Sequence, residues 1–171
     1  IGFEFAPGQG QQLKANLYST RISNLISFSG VAFRAENVAR ARIKGAELGY
    51  NTSFGAWMFD GRLTWQDPRN EDTGTQLLRR AKQKFTGTLE RSFGESLHAG
   101  VELLRSGRRA DVAGIELPGY TLVNLRATWT IAPEWMLHAR IENLTDRDYE
   151  LAHGYNTPRR SGFLEMVWTT R

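Results

Sequence analysis

The sequence predicts an all-β chain, an antiparallel up-and-down transmembrane β-barrel segment holding about nine strands of a larger barrel. Three observations predict it. Apolar and polar residues alternate with a period of two along most of the chain. Short and long breaks between the alternating runs take strict turns. Aromatic residues gather beside the short breaks.

The runs can be taken in order. The chain opens on Ile1-Gly2-Phe3-Glu4-Phe5, already alternating and without a Met, which reads as an incomplete strand and a cut inside a longer chain. Leu13, Ala15 and Leu17 then alternate with Lys14, Asn16 and Tyr18. Ala46, Leu48, Tyr50 and Phe54 alternate with Glu47, Gly49, Asn51 and Ser53. The clearest run sets Trp57, Phe59, Gly61, Leu63 and Trp65 against Met58, Asp60, Arg62, Thr64 and Gln66. Phe85, Gly87, Leu89 and Phe93 face away from Lys84, Thr86, Thr88, Glu90 and Ser92, with Arg91 interrupting the apolar side. Leu97, Ala99, Val101 and Leu103 alternate with His98, Gly100 and Glu102. Val123, Leu125, Ala127, Trp129 and Ile131 oppose Leu122, Asn124, Arg126, Thr128 and Thr130. Trp135, Leu137, Ala139 and Ile141 oppose Met136, His138, Arg140 and Glu142. The last run sets Leu164, Met166 and Trp168 against Phe163, Glu165 and Val167. Successive strand side chains point to opposite faces, so each run is a strand with one apolar and one polar side.

Short breaks fall at Gly8-Gln9-Gly10, Gly55-Ala56, Gly94-Glu95 and Ala132-Pro133. Longer polar connections are expected over residues 29–40, 67–76, 106–118 and 153–160. Short turns at one rim and long loops at the other are the habit of outer-membrane barrels.

A soluble barrel or sandwich also alternates, and three features argue for a membrane instead. Several runs carry about ten residues, near the 9–11 needed to cross a bilayer at a tilt, whereas soluble strands average about five or six. The polar faces carry Asp60, Arg62, Lys82, Lys84, Glu90, Glu102, Arg126, Arg140 and Glu142, costly in a dry core but acceptable in a wet lumen. Phe54, Trp57, Phe93, Trp129, Trp135 and Trp168 lie near the short turns and form a candidate interfacial girdle. Outer-membrane lipid is thus the expected surrounding, and the bacterial outer membrane the expected location.

Composition narrows the function. Hydrophobic residues make up 40% of the 171 residues, and no run approaches the roughly 18–20 apolar residues of a transmembrane helix. There is no cysteine, so neither disulfides nor thiolate metal ligands are available. The net charge of +4 is spread over many strands among acids, without the basic stripe and stacking aromatics of a nucleic-acid binder.

No nucleophile elbow, HExxH or paired-cysteine motif occurs, so no catalytic residue, cofactor or metal is expected. His98 and His138 lie on polar faces near Glu102 and Glu142; the residue types would serve a proton-sensitive or metal site, but an ordinary hydrogen-bonded lumen network is the expectation. Asp146 and Asp148 suit a strand cap, a cation site, or turn residues ordered by Arg147. Arg79 and Arg80 could meet an anionic or amide-bearing ligand, or lipid phosphates at a positive rim. Tyr155 could stack on a flat ligand or pack its own loop.

Several strings resemble TonB-dependent outer-membrane receptors. Ala41-Arg42-Ile43-Lys44-Gly45-Ala46-Glu47 is similar to the family's R-x-K-G-x-E strand. Ile141-Glu142-Asn143-Leu144-Thr145-Asp146-Arg147-Asp148-Tyr149-Glu150 resembles its NL-x-D-x-x-Y motif. Gly154-Tyr155-Asn156-Thr157-Pro158 with Arg159-Arg160 looks like its last loop. Leu77-Leu78-Arg79-Arg80-Ala81-Lys82 is similar to a segment of the cobalamin (vitamin B12) receptor branch, placing Arg79 at a strand top. The resemblance covers nearly the whole chain, making residues 1–171 the C-terminal portion of a receptor β-barrel without its plug domain. It implies a barrel of about 22 strands, an N-terminal plug upstream, and the periplasmic partner TonB acting through that missing region. It implies active uptake of a scarce nutrient, with cobalamin first and a siderophore or haem as alternatives, or a passive porin-like barrel if no plug exists. Carried over by position, the ligand-binding residues would be Arg79 and Tyr155, with no metal site in this part. The family's last strand usually ends on an aromatic; here Thr169-Thr170-Arg171 follow Trp168, which implies a displaced assembly signal.

Overall fold

The computed structural model describes residues 1–29 and 34–170. β1 spans Gly2–Phe5, β2 Gln11–Ser29, β3 Arg34–Phe54, β4 Trp57–Asn70, β5 Gln83–Phe93 and β6 Leu97–Ser106. A two-stranded ribbon, β7 (Arg109–Ala110) and β8 (Glu116–Leu117), flanks a 3-10 turn at Val112–Gly114. β9 spans Tyr120–Ala132, β10 Trp135–Glu142 and β11 Ser161–Trp168. Apart from the ribbon, the strands form one nine-stranded antiparallel sheet in the order β1-β2-β3-β4-β5-β6-β9-β10-β11. It is a meander, a partial barrel wall.

Register sorts the side chains onto two faces. Ala46, Leu48, Tyr50 and Phe54 of β3 stand opposite Trp65, Leu63, Gly61 and Trp57 of β4. The face continues through Phe85, Leu89, Leu103, Val101, Val123 and Leu125 to Ile141 and Leu164. No second sheet covers it among the described residues, and Leu48, Trp65, Trp129, Ile141, Leu164 and Met166 are exposed. A single sheet with this much bare apolar surface suits acyl chains, not water. The other face carries the charges and is the side on which a connecting loop lies down, as described below.

At the rim of short turns the aromatics line up as expected. Trp135 and Trp168 are paired in register with ring centroids 6.2 Å apart. Arg91, which interrupts the apolar alternation, lies 5.0 Å from the Trp57 ring and 4.8 Å from the Phe93 ring. A guanidinium over aromatic faces at headgroup level is tolerated where it would not be at mid-bilayer. From Trp57 to Trp65 is about 26 Å of strand at the usual rise of roughly 3.3 Å per residue, and these nine residues lie within the 9–11 that cross a bilayer at a tilt. Within it, Gly61 faces Gly87 across the β4–β5 pair. A Cβ on either would fall 2.8 Å from the ring of Phe59 or Phe85, which folds back to cover the glycine.

The other rim departs from expectation. Residues 29–40 were expected as a loop, yet β2 and β3 stay paired from Ser23–Arg40 to Ser29–Arg34; residues 30–33 lie outside the described residues. β4 likewise continues to Asn70, moving the next connection from 67–76 to 71–82. The last connection begins at 143, ten residues before the expected 153. The physical reason is common to the first two. Above the bilayer both faces of a strand meet water, so the hydrophobic alternation disappears although the hydrogen-bond ladder continues.

Connection 71–82 also packs. Leu77 sits with Ala41 and Ile43 in the buried cluster, with Tyr18, Ile22 and Leu25 against it. These lie at the loop end of the charged face. Tyr18 crosses Gly45 of the neighbouring strand, where a Cβ would lie 2.5 Å from the Tyr18 ring and 2.6 Å from the Trp65 carbonyl oxygen. The glycine lets the ring lie flat on the wall.

Candidate site among the long loops

The three long connections 71–82, 107–119 and 143–160 meet at Asp111. Its side chain is 0% exposed. Arg79 donates from Nε to Oδ1 at 2.9 Å, and the Val112 N–H donates to the same oxygen at 2.8 Å. The His153 N–H donates to Oδ2 at 2.6 Å. The Arg79 N–H also donates to the Ala110 carbonyl at 2.7 Å, from a left-handed backbone at φ 59°. Burial pushes the Asp111 carboxyl up, but the three hydrogen bonds and the Arg79 charge outweigh it and hold its pKa below the usual carboxylate value.

A second tie runs beside it. Arg109 is buried, donates from Nη2 to the Glu150 carbonyl at 2.8 Å, and lies 4.9 Å over the Tyr120 ring. Tyr120 in turn stacks on Tyr149 with centroids 4.4 Å apart. Around these residues is a cavity of about 1050 Å³ lined by Lys82, Arg105, Arg108, Arg147, Asp111 and Tyr120, among others. Lys82, Arg105, Arg108, Arg109 and Arg147 outnumber Asp111 and Glu116 in its lining and Tyr120 adds one aromatic ring, which suits a solute bearing anionic groups or carbonyls.

The last connection is clasped to the sheet by the N-L-T-D string. Asn143, at φ 51° and buried, accepts at Oδ1 from the Arg147 N–H at 2.8 Å and donates from Nδ2 to the Arg147 carbonyl at 2.9 Å. Its own N–H donates to the Asn124 side chain at 2.9 Å. Asp146 is ordered by Arg159, whose Nε and Nη2 donate at 3.0 and 2.9 Å, and by the Arg160 N–H at 3.0 Å. These donors hold the Asp146 pKa well below the usual range. Arg147, the residue expected to order Asp146, instead serves Asn143 through its backbone. Asp148 lies 3.5 Å from Arg159.

Of the two expected ligand residues, Arg79 lies within connection 71–82 and not at a strand top, because β5 begins only at Gln83. Leu77 and Ala81 are buried on either side of it. Tyr155 is 66% exposed in the last connection, two residues past His153. Asp111 therefore joins the loops carrying both. Arg80 is exposed, and its carbonyl accepts from Gln76 at 2.7 Å.

The histidines join hydrogen bonds on the lumen face, as expected, with hydroxyls as their partners. His98 Nδ1 is 3.0 Å from Ser92 Oγ, and His138 Nδ1 is 3.0 Å from Thr128 Oγ1. Glu102 accepts from Asn124 at 2.7 Å, and Glu142 pairs with Arg140 at 3.2 Å. Arg126 is paired with Glu90. Register sets Ser92, His98, Thr128, His138 and Glu165 in one row across five strands. Among the described residues no three His, Cys, Asp or Glu groups converge as a metal site. Asp111, Arg109 and Tyr120 carry no mark in the sequence, since nothing periodic signals a residue whose partners come from other connections, whereas Tyr149 is the tyrosine of the NL-x-D-x-x-Y string.

Residues 1–144 match the family described as TonB dependent receptor-like, beta-barrel. Over 151 residues the chain is 29% identical to the vitamin B12 transporter BtuB of Vibrio vulnificus strain YJ016, covering 83% of this chain and 24% of that protein. Among solved structures, the copper transporter OprC superposes with a TM-score of 0.80 at 22% identity, covering 98% of this chain and 30% of that one. The siderophore receptor PiuA from Acinetobacter baumannii gives a TM-score of 0.74 at 21% identity, covering 98% and 27%. The chain spans about a quarter of the length of such relatives.

Proposed function

Given that this chain belongs to the TonB-dependent receptor β-barrel family of the bacterial outer membrane, we propose that it supplies the C-terminal wall and outer loops of a receptor that takes up cobalamin. A plug upstream would fill the barrel, and TonB would act on it from the periplasm. The observation that carries the reading is the joining of three outer loops at Asp111 beside a cavity of about 1050 Å³. A corrinoid is large, flat in part and rich in amide side chains. Arginine and tyrosine rims suit it through charge-assisted hydrogen bonds and stacking. The likeness to a vitamin B12 transporter supports this cargo. In this reading Arg79 and Tyr155, neither of which lines the cavity, touch the part of the ligand that extends beyond it, Arg79 with the part of its guanidinium that Asp111 leaves exposed.

A siderophore or haem is the second reading, favoured by the cationic lining and by the siderophore receptors among structural neighbours. The test is equilibrium binding of cobalamin and of a ferric siderophore to the full-length receptor. Wild type is expected to bind cobalamin, and Arg79→Ala and Tyr155→Ala each to weaken it about tenfold, the worth of one good polar or stacking contact. Siderophore binding in place of cobalamin moves the cargo to the second reading. Unchanged affinity in both variants retires the two residue assignments. Uptake that survives collapse of the proton gradient would make the barrel passive.

A further inference from the structure

One cation among the long loops is buried without a counter-charge. Arg109, in β7, is 4% exposed. Its Nη2 donates to two backbone carbonyls, Glu150 at 2.8 Å and Pro118 at 3.4 Å, and its guanidinium lies over the Tyr120 ring. Its Nε is buried and meets no acceptor. Among the described residues no carboxylate pairs with it. Its partners are neutral, and a buried guanidinium held by neutral groups alone is costly unless an anion joins it.

The surroundings carry the same sign. Arg109 lines the cavity of about 1050 Å³. The carboxylates of that lining are already engaged, Asp111 by Arg79 at 2.9 Å and Glu116 by Arg108 at 3.3 Å. Lys82 has a partner outside the lining, Asp67 at 3.8 Å. Arg105, Arg109 and Arg147 are left without an ion-pair partner among the described residues. A concave surface lined by one sign of charge concentrates the opposite sign. We infer that the cavity contains an oxyanion subsite at Arg109, taking a phosphate or a similar group. The anion supplies the missing acceptor and the counter-charge, as a charge-assisted hydrogen bond. Through the Pro118 and Glu150 carbonyls Arg109 also bridges connection 107–119 to connection 143–160, so an anion bound there steadies both. The cavity is much larger than one inorganic phosphate, which favours an anionic group carried on a bigger solute. Cobalamin carries such a group, the phosphodiester of its nucleotide loop. That source rests on the cobalamin reading; the subsite does not.

The test uses the full-length receptor. Amide exchange in connections 107–119 and 143–160 is followed with inorganic phosphate and with chloride at equal ionic strength. Near ten times its dissociation constant, phosphate should slow exchange in wild type about tenfold, and chloride should not. Arg109→Gln should lose the effect and Arg109→Lys keep part of it. Heat-modifiable gel mobility checks folding; if Arg109→Gln does not fold, Arg147→Gln carries the comparison and should weaken the effect. Equal exchange of wild type in the two salts overturns the inference. So does a phosphate effect undiminished in Arg109→Gln, or in Arg147→Gln where only that variant folds. Cobalamin and cobinamide, a corrinoid without the phosphate-bearing loop, separate the sources. An anion brought by the cargo makes cobalamin bind about tenfold more tightly than cobinamide, with phosphate competing against cobalamin alone. A free anion leaves both corrinoids equal and the phosphate effect on exchange intact. If neither corrinoid binds while phosphate still slows exchange, the cobalamin reading falls and the subsite stands.

Discussion

A buried carboxylate with three donors from three loops is sensitive to removal of its charge. Asp111 titrates below an unfolded aspartate, whose pKa is about 3.9. A depressed folded pKa contributes stability that is fully present above the unfolded value and lost as pH falls through the folded one. The outer-loop ties should hence be insensitive to pH between about 5 and 8 and loosen only below about 4. Asp111→Asn should mimic acid at neutral pH, since it leaves Arg79 facing a neutral amide and removes an acceptor from Val112 or His153. Losing one partner of such a buried pair costs about 2–4 kcal/mol locally. Amide exchange at Val112 and His153 in the full-length receptor reads this directly. Protection unchanged from wild type would contradict the role given to the carboxylate.

Among the elements, the sheet was largely legible and the loops were not. Period-two alternation gave the lipid-facing rows from Trp57 to Trp65 and from Val123 to Trp129, because one face must be greasy while the other is wet. It stopped at the bilayer edge, which is why the upper halves of β2 and β3 looked like a loop around 29–40. The sequence puts Arg79 at a strand top, but the strand starts only at Gln83, since a leucine-containing string just before a strand looks like the strand itself. The N-L-T-D string pointed at the right place, and only the structure shows why: Asn143 makes a left-handed turn, which asparagine favours over most residues, and its side chain replaces backbone partners. Asn143→Ala strands the N–H and carbonyl of Arg147, a cost of about 1–3 kcal/mol. The connection 143–160 should then be cut faster by added protease on intact cells, with exposed Asp148→Ala as the silent control. Equal cutting of the two would remove Asn143 from its clasping role.

At the scale of the molecule, β1 and β11 are the two edges of one sheet, and among the described residues nothing covers its apolar face. Unpaired strand edges in lipid leave backbone groups without partners, and in water they recruit other chains. The 171-residue chain expressed alone is expected to aggregate in buffer, and to regain discrete size in detergent only when the remaining strands of its barrel are supplied. Size-exclusion chromatography with light scattering distinguishes these cases, and a monomer in plain buffer would count against a membrane wall. The knot at Asp111 also bears on how such receptors can be re-engineered. Because each loop borrows its shape from the other two, exchanging one of them for a counterpart from a different receptor removes a hydrogen-bond donor or the shared acceptor. Cargo preference should consequently transfer when all three segments move as a set, and single-segment chimaeras should lose the parental cargo without acquiring a new one.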